Sequence, residues 1–161
     1  MSSGLSLPGE AATAHLGALA AQALPLQPLP FVVTLSGDLG AGKTTFARAL
    51  LQSLGVTGHI RSPSYALLEP YEAGGWLALH LDLYRLGEAE ELEMLGLRDY
   101  HQGRSLWLVE WPERGAGRLP QADAELHFEA DSPAHHVSLR AHTPAGQLWC
   151  AAILRAYDRS S

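Results

Sequence analysis

Residues 37–44 have the composition and spacing of a phosphate-binding loop. They read GDLGAGKT, which is a glycine, four free positions and then Gly-Lys-Thr, the full Walker A pattern. The glycines allow backbone angles that other residues resist, so successive N–H groups can turn inward on phosphate oxygens. Lys43 is expected to reach the β- and γ-phosphates, and Thr44 to offer its hydroxyl to Mg²⁺. The motif predicts a site for the triphosphate of a nucleotide with Mg²⁺.

Two acidic residues are candidates for a further Mg²⁺ ligand. Asp82 ends the run LALHLD and Glu110 ends the run LWLVE, and each run is typical of a buried strand. The carboxyl end of such a strand is where Walker B acids lie. Either carboxylate could hold the metal, directly or through water, so both stay candidates.

Residues 61–65, RSPSY, follow the first predicted helix after the loop. Many P-loop enzymes keep a switch there that responds to the γ-phosphate, and Ser62 and Ser64 would supply its hydroxyls. A plain turn into the next strand fits the local sequence equally well. Trp111, directly after Glu110, could lie over the nucleotide.

The histidines and the cysteine give no further indication of a catalytic or metal site. None of the eight histidines has the spacing of a zinc site, so we interpret them as core or surface residues. The single cysteine, Cys150, cannot form an internal disulfide. All basic residues except Lys43 are arginines, and a compact ammonium group suits a phosphate cradle better than a planar guanidinium does.

Alternating strands and helices would bring these residues to one edge of a sheet. Apolar, β-branched runs predict strands over residues 31–36, 65–71, 76–82, 106–110, 124–129 and 137–142. Helical spacing predicts helices over residues 10–24, 46–54, 88–95 and 146–157. Residues 72–75 would join two of the strands as a hairpin. We therefore predict an α/β fold with a mixed parallel and antiparallel sheet and helices on both faces.

The whole chain, residues 1–161, is expected to form a single P-loop NTPase-type domain. It divides into an N-terminal helix (10–24), a motif-bearing core (31–119) and C-terminal strands and a helix (120–161). A net charge of −6 without a basic run argues against direct nucleic-acid binding. The N-terminus lacks a basic segment followed by an apolar run, so we expect a cytoplasmic protein that does not enter a membrane.

Three functions are compatible with these features. They are an ATPase that drives a conformational cycle, a small-molecule kinase, and a nucleotide-gated assembly module with little turnover. A GTPase is disfavoured because its guanine-reading Asn-Lys-x-Asp element needs a lysine, and Lys43 is the only one. No arginine stands out as a catalytic finger, which predicts slow turnover alone and acceleration by a partner, since such an arginine is worth roughly 10³ to 10⁵ in rate.

Five segments in order closely resemble the bacterial TsaE (YjeE) family, the P-loop ATPase of tRNA threonylcarbamoyladenosine (t6A) biosynthesis. They read GDLGAGKTTFARALLQSLG, RSPSYALLEPY, HLDLYRL, EELEMLGLRDY and LVEWPERG, and they fall between about Phe31 and Leu119. The resemblance implies a small α/β fold, ATP or ADP with Mg²⁺, and weak ATPase activity alone. It also implies partners, the threonylcarbamoyl transferase and its inactive paralogue (TsaD and TsaB type), with tRNA contacted only through them.

The resemblance also assigns roles to residues. It implies catalytic roles for Lys43, Asp82 and Glu110, and metal binding by Thr44, Glu110 and Asp82. The implied nucleotide contacts are Thr13, Gly37, Asp38, Leu39, Gly40, Ala41, Gly42, Lys43, Thr44, Thr45, Ser62, Ser64 and Trp111. The family usually has threonine where Ser64 stands, which keeps the hydroxyl and loses a methyl group. The segment beyond Asp123 departs most from the family, so no function is transferred to it.

Overall fold

The computed structural model describes residues 2–27, 29–131 and 134–160. Within these ranges the strands are β1 (Ser2–Leu7), β2 (Phe31–Gly37), β3 (Leu68–Ala73), β4 (Trp76–Asp82), β5 (Ser105–Glu110), β6 (Ala124–Glu129) and β7 (His135–Ala141). The helices are α1 (Glu10–Gln22), α2 (Lys43–Leu54), α3 (Leu97–Tyr100) and α4 (Pro144–Ser160). Two 3₁₀ helices, Ala89–Leu95 and Pro112–Gly115, complete the described elements.

The strands form one mixed sheet in the order β1-β7-β6-β2-β5-β4-β3. The four central strands are parallel, and the outer strands β1, β7 and β3 pair antiparallel. Parallel strands share one carboxyl edge, so the ends of β2, β4 and β5 meet there. The register places Glu110 opposite both Asp82 and Leu35. The mixed sheet predicted from the sequence is confirmed.

Helices cover the two faces of the sheet unequally. The long helices α1, α2 and α4 bury one face, where Trp149 meets Phe31 edge-on with ring centroids 5.4 Å apart. The first 3₁₀ helix and α3 cover part of the other face, mainly over β4 and β5. Elsewhere that face is polar, with His127 and Arg140 exposed. In the described ranges, no helix combines the length and apolar character needed to cross a bilayer.

Three of the differences between the structure and the sequence predictions have a clear physical cause. The strand predicted over residues 65–71 begins only at Leu68, because Leu67 adopts a positive φ of 67° and its N–H donates to the Pro63 carbonyl in a turn. The helix predicted over residues 88–95 is a 3₁₀ helix, Ala89–Leu95, and a capping box between Glu88 and Glu91 stabilises its first turn. The first strand, β1, was not predicted, since its sequence SSGLSL has small polar residues and it is ordered by pairing with β7.

Candidate functional site

The predicted phosphate loop connects the end of β2 to the start of α2. Gly37, Gly40 and Gly42 have φ values of 122°, 78° and 111°, which side chains resist. At Gly37 a Cβ atom would lie 1.9 Å from the carbonyl oxygen of Phe128, so only glycine fits. The neighbouring Asp38 N–H donates to that same oxygen over 3.3 Å. The loop is therefore fixed against the end of β6.

A second contact fixes the loop from β7. Nδ1 of His135 lies 3.1 Å from the carbonyl oxygen of Ala41, to which it donates. Ala41 itself is fully buried. Its side chain thus belongs to the core beneath the loop.

A cavity of about 710 Å³ opens between the loop and the carboxyl ends of β4 and β5. Its lining residues come from six segments of the chain: Gly9, Glu10, Thr13, Leu39, Gly40, Gly42, Lys43, Thr44, Thr45, Ser62, Ser64, Asp82, Tyr84, Arg85, Glu110, Trp111 and His135. A cleft at the carboxyl edge of a parallel sheet is the usual ligand position in such folds.

Oxygen atoms converge on the floor of this cavity. The Thr44 hydroxyl donates to Oε1 of Glu110 over 2.8 Å, and Oε2 of Glu110 lies 2.6 Å from Nε2 of His80. Asp82 accepts from the Ser62 hydroxyl, and its Oδ1 accepts from the Tyr84 N–H over 3.1 Å. The ends of β4 and β5, the first turn of α2 and the loop around Ser62 therefore bring two carboxylates and two hydroxyls together.

This donor set suits a hard divalent cation. Mg²⁺ in phosphate sites takes one or two carboxylates from the protein and completes its shell with phosphate and water. Thr44, Glu110 and Asp82 supply ligands of this kind. Among the described residues, no group of three or more His, Cys, Asp or Glu side chains is placed to hold a metal by itself.

Lys43 is folded back against its own loop. Its Nζ donates to the carbonyl oxygens of Gly37 and Asp38 over 2.8 Å and 2.6 Å, and it lies 4.3 Å from the ring centroid of Trp111. Burial lowers the pKa of the Lys43 ammonium, an effect that the nearby Glu110 carboxylate partly opposes. The ammonium is thus poorly solvated and has only carbonyl dipoles and a ring face in direct contact. Phosphate oxygens would be stronger acceptors for it.

The opposite wall of the cavity is built from side chains. Ser62 and Ser64 line it, and the Tyr65 side chain that follows is 85% exposed. The Arg85 guanidinium stacks over the Tyr65 ring at 4.4 Å. The segment proposed as a switch and the segment after Asp82 are therefore in contact at the mouth of the cavity.

Most of the residues expected to bind nucleotide line this one cavity. Three loop residues do not. Ala41 is buried below the loop, and Gly37 and Asp38 turn their carbonyl oxygens to Lys43. Those three residues stabilise the conformation of the loop and do not line the cavity.

Sequence reasoning missed several lining residues. Tyr84 and Arg85 follow Asp82 in the run HLDLYRL, so their proximity to the candidate acid was a usable signal. Gly9, Glu10 and His135 reach the cavity only because of how α1 and β7 are arranged around the sheet. No local pattern marks them.

Comparisons with known proteins agree on one family. The family described as threonylcarbamoyl adenosine biosynthesis protein TsaE matches residues 7–138. The tRNA threonylcarbamoyladenosine biosynthesis protein TsaE of Haemophilus influenzae is 46% identical over 116 residues, 72% of this chain and 73% of that protein. Its namesake in Synechocystis is 42% identical over 123 residues, 74% of this chain and 73% of that protein. The crystal structure of Bacillus subtilis YdiB matches with a TM-score of 0.79 and 26% identity, covering 97% of this chain and 96% of that one.

Proposed function

Because this chain belongs to the TsaE family, we propose that it binds ATP and ADP with Mg²⁺ and hydrolyses ATP. One observation carries the proposal. The hydroxyl of Thr44 and the carboxylate of Glu110 are 2.8 Å apart at the foot of the glycine loop, with Lys43 in the same cavity. A lysine and a hydroxyl at the start of the helix after the loop, with an acid at the end of the adjacent strand, are the parts that P-loop enzymes use for phosphoryl transfer.

Each part has a separate task in this proposal. The N–H groups of the loop and the Lys43 ammonium bind the phosphates. Thr44 and Glu110 would hold Mg²⁺, with Asp82 as a further candidate ligand, and the ion would supply charge neutralisation during phosphoryl transfer. Asp82, or the Ser62 hydroxyl bound to it, orients the attacking water. Thr13 and its neighbours in α1 line the remaining end of the cavity, where we place the adenine.

The biological setting of the proposal comes from the relatives. Those proteins are named for the biosynthesis of threonylcarbamoyladenosine in tRNA. We propose that ATP hydrolysis by this chain resets the threonylcarbamoyl transferase and its inactive paralogue in the cytoplasm, with tRNA held by those partners. The net charge of −6 supports the indirect role, since an acidic surface repels a phosphate backbone.

Calorimetry with and without Mg²⁺ tests the binding step. We expect ADP and ATP to bind the folded protein, and Mg²⁺ to strengthen the binding. Lys43→Ala is the matched loss variant, because it removes the ammonium and leaves the glycines. A folded wild-type protein without Mg²⁺-assisted affinity for either nucleotide would contradict the proposal.

Phosphate release tests the catalytic step. The rate is expected to be low for the protein alone and to rise when the transferase and its paralogue are added. Equal rates with and without those partners would remove the activation hypothesis while leaving hydrolysis itself in place.

A further inference from the structure

His80 is a buried polar residue behind the candidate metal site. It lies in β4 between Leu79 and Leu81 and is completely buried. Nε2 of its ring is 2.6 Å from Oε2 of Glu110. The other oxygen of the same carboxylate accepts the Thr44 hydroxyl over 2.8 Å. One oxygen of Glu110 therefore faces the site and the other faces the imidazole.

We propose that His80 is a positioning residue for the metal site. Its Nε2–H holds Oε2 of Glu110, and this hydrogen bond directs Oε1 toward Thr44 and the cation. The inference rests on the proposed Mg²⁺-dependent function. It concerns a residue that touches neither nucleotide nor metal and acts through Glu110.

The strand register makes this contact rigid. His80 and Asp82 are two residues apart in β4, so their side chains leave the same face of the sheet. Asp82 lies opposite Glu110 in the register, and His80 lies opposite Leu108. The imidazole therefore reaches Glu110 from the interior, while the cavity is on its other side. A metal ligand held between two central strands is placed more accurately than one on a loop.

Packing alone does not account for an imidazole at this position. Nδ1 of His80 is buried and has no hydrogen-bond partner in the described structure. An unpartnered buried nitrogen costs stability, and an apolar side chain of similar size would avoid that cost. The polar contact that offsets it is the one to Glu110, which is itself only 2% exposed. Outer-sphere hydrogen bonds of this kind orient metal ligands in proteins.

Two amide substitutions form a matched test. In His80→Gln the side-chain N–H can reach the position of Nε2, whereas in His80→Asn it falls short by one carbon. We expect His80→Asn to weaken Mn²⁺ binding in the ADP complex by roughly 10- to 100-fold, measured by electron paramagnetic resonance. His80→Gln should restore most of the affinity. ADP binding in the presence of EDTA should be unchanged in both variants.

The outcomes separate the inference from the proposed function. If both variants bind Mn²⁺ as the wild type does, or if ADP binding falls equally with and without metal, the positioning role is wrong. If the wild-type protein itself shows no metal-assisted ADP binding, the proposed function is wrong, and the inference that rests on it is wrong as well.

A measurement on the wild type covers the case in which a variant does not fold. With ¹⁵N-labelled histidine, the Nε2–H signal of His80 should shift when Mg²⁺ is added to the ADP complex. ADP in EDTA should leave that signal in place. An Nε2–H chemical shift that stays the same when Mg²⁺ is added would overturn the inference.

Discussion

The two walls of the cavity are held in different ways. The phosphate-loop wall (residues 37–44) is fixed by backbone contacts, with Gly37 packed on the Phe128 carbonyl and the Asp38 N–H donating to the same oxygen. The two segments of the switch wall (residues 62–65 and 82–85) are joined to each other by side chains. Ser62 bonds Asp82, and Arg85 stacks on the largely exposed Tyr65 ring.

This difference indicates which wall can move. Displacing the loop would break its backbone contacts to β6 and the His135 side-chain contact from β7, which is costly. Moving residues 62–65 away from residues 82–85 would break one hydroxyl contact and one exposed stacking contact, and regions held so weakly open at low free energy. We infer that the loop presents a preformed surface to the phosphates and that residues 62–65 of the switch wall adjust to the ligand.

The largest expected effect comes from breaking the rigid wall with Gly37→Ala. The new Cβ would lie 1.9 Å from the Phe128 carbonyl oxygen at a φ of 122°, so the strand end and the loop cannot both keep their positions. We expect the free energy of unfolding, measured in urea, to fall by at least about 4 kcal/mol.

Gly40→Ala is the matched control for that substitution. Its φ is also positive, at 78°, but nothing lies within 4 Å of the added Cβ. Only the conformational cost of about 1 kcal/mol is expected. Equal losses of unfolding free energy in the two variants would show that backbone strain, and not the contact with β6, determines the cost of the Gly37 substitution.

The same contrast explains what the sequence could predict. The loop is a contiguous motif between a buried strand and an amphipathic helix, so its glycines, Lys43 and Thr44 could be identified from local pattern. Asp82 and Glu110 could be identified because each ends a hydrophobic run, although the sequence alone could not show that Glu110 contacts Thr44. That contact depends on β2, β5 and β4 being neighbours in the sheet.

Features set by long-range packing escaped prediction. His135 reaches the loop only because β7 pairs antiparallel with β6, which brings its first residue to the carboxyl edge. Leu67 interrupts the predicted strand through a positive φ that its sequence does not signal. His80 was interpreted as an ordinary core or surface residue, since spacing along the chain shows nothing about a partner 30 positions away.

On the switch wall, the largest effect is expected from Asp82→Asn. The amide keeps the size of the side chain but cannot act as a base or bind a cation as strongly. We expect ATP hydrolysis to slow by at least about 100-fold, with ADP affinity largely kept. Single-turnover phosphate release measures the rate. If the variant still supports threonylcarbamoyladenosine formation in the full complex, a nucleotide-gated assembly role would replace the ATPase cycle.

A smaller effect is expected from Arg85→Ala. Arg85 lines the cavity, and its guanidinium stacks on the Tyr65 ring. A change of rotamer could bring the guanidinium to the γ-phosphate. Losing one charge-assisted hydrogen bond is expected to lower the hydrolysis rate about tenfold. Arg98→Ala is the control, because that side chain is 91% exposed and lies outside the cavity. Equal rates for the two variants would exclude Arg85 from the reaction.

The smallest effect is expected from Ser62→Ala, which removes the hydroxyl that joins residues 62–65 of the switch wall to Asp82. Stability should fall by only about 1 kcal/mol, but the segment should open more often, so trypsin should cut faster after the exposed Arg61. Ser64→Ala is the matched control, because Ser64 lines the same cavity without bonding Asp82. Mg²⁺ and ATP should slow the cleavage in all three proteins if the ligand orders this wall. Identical cleavage of the free wild type and Ser62→Ala would mean that the Asp82 contact does not hold the switch wall closed.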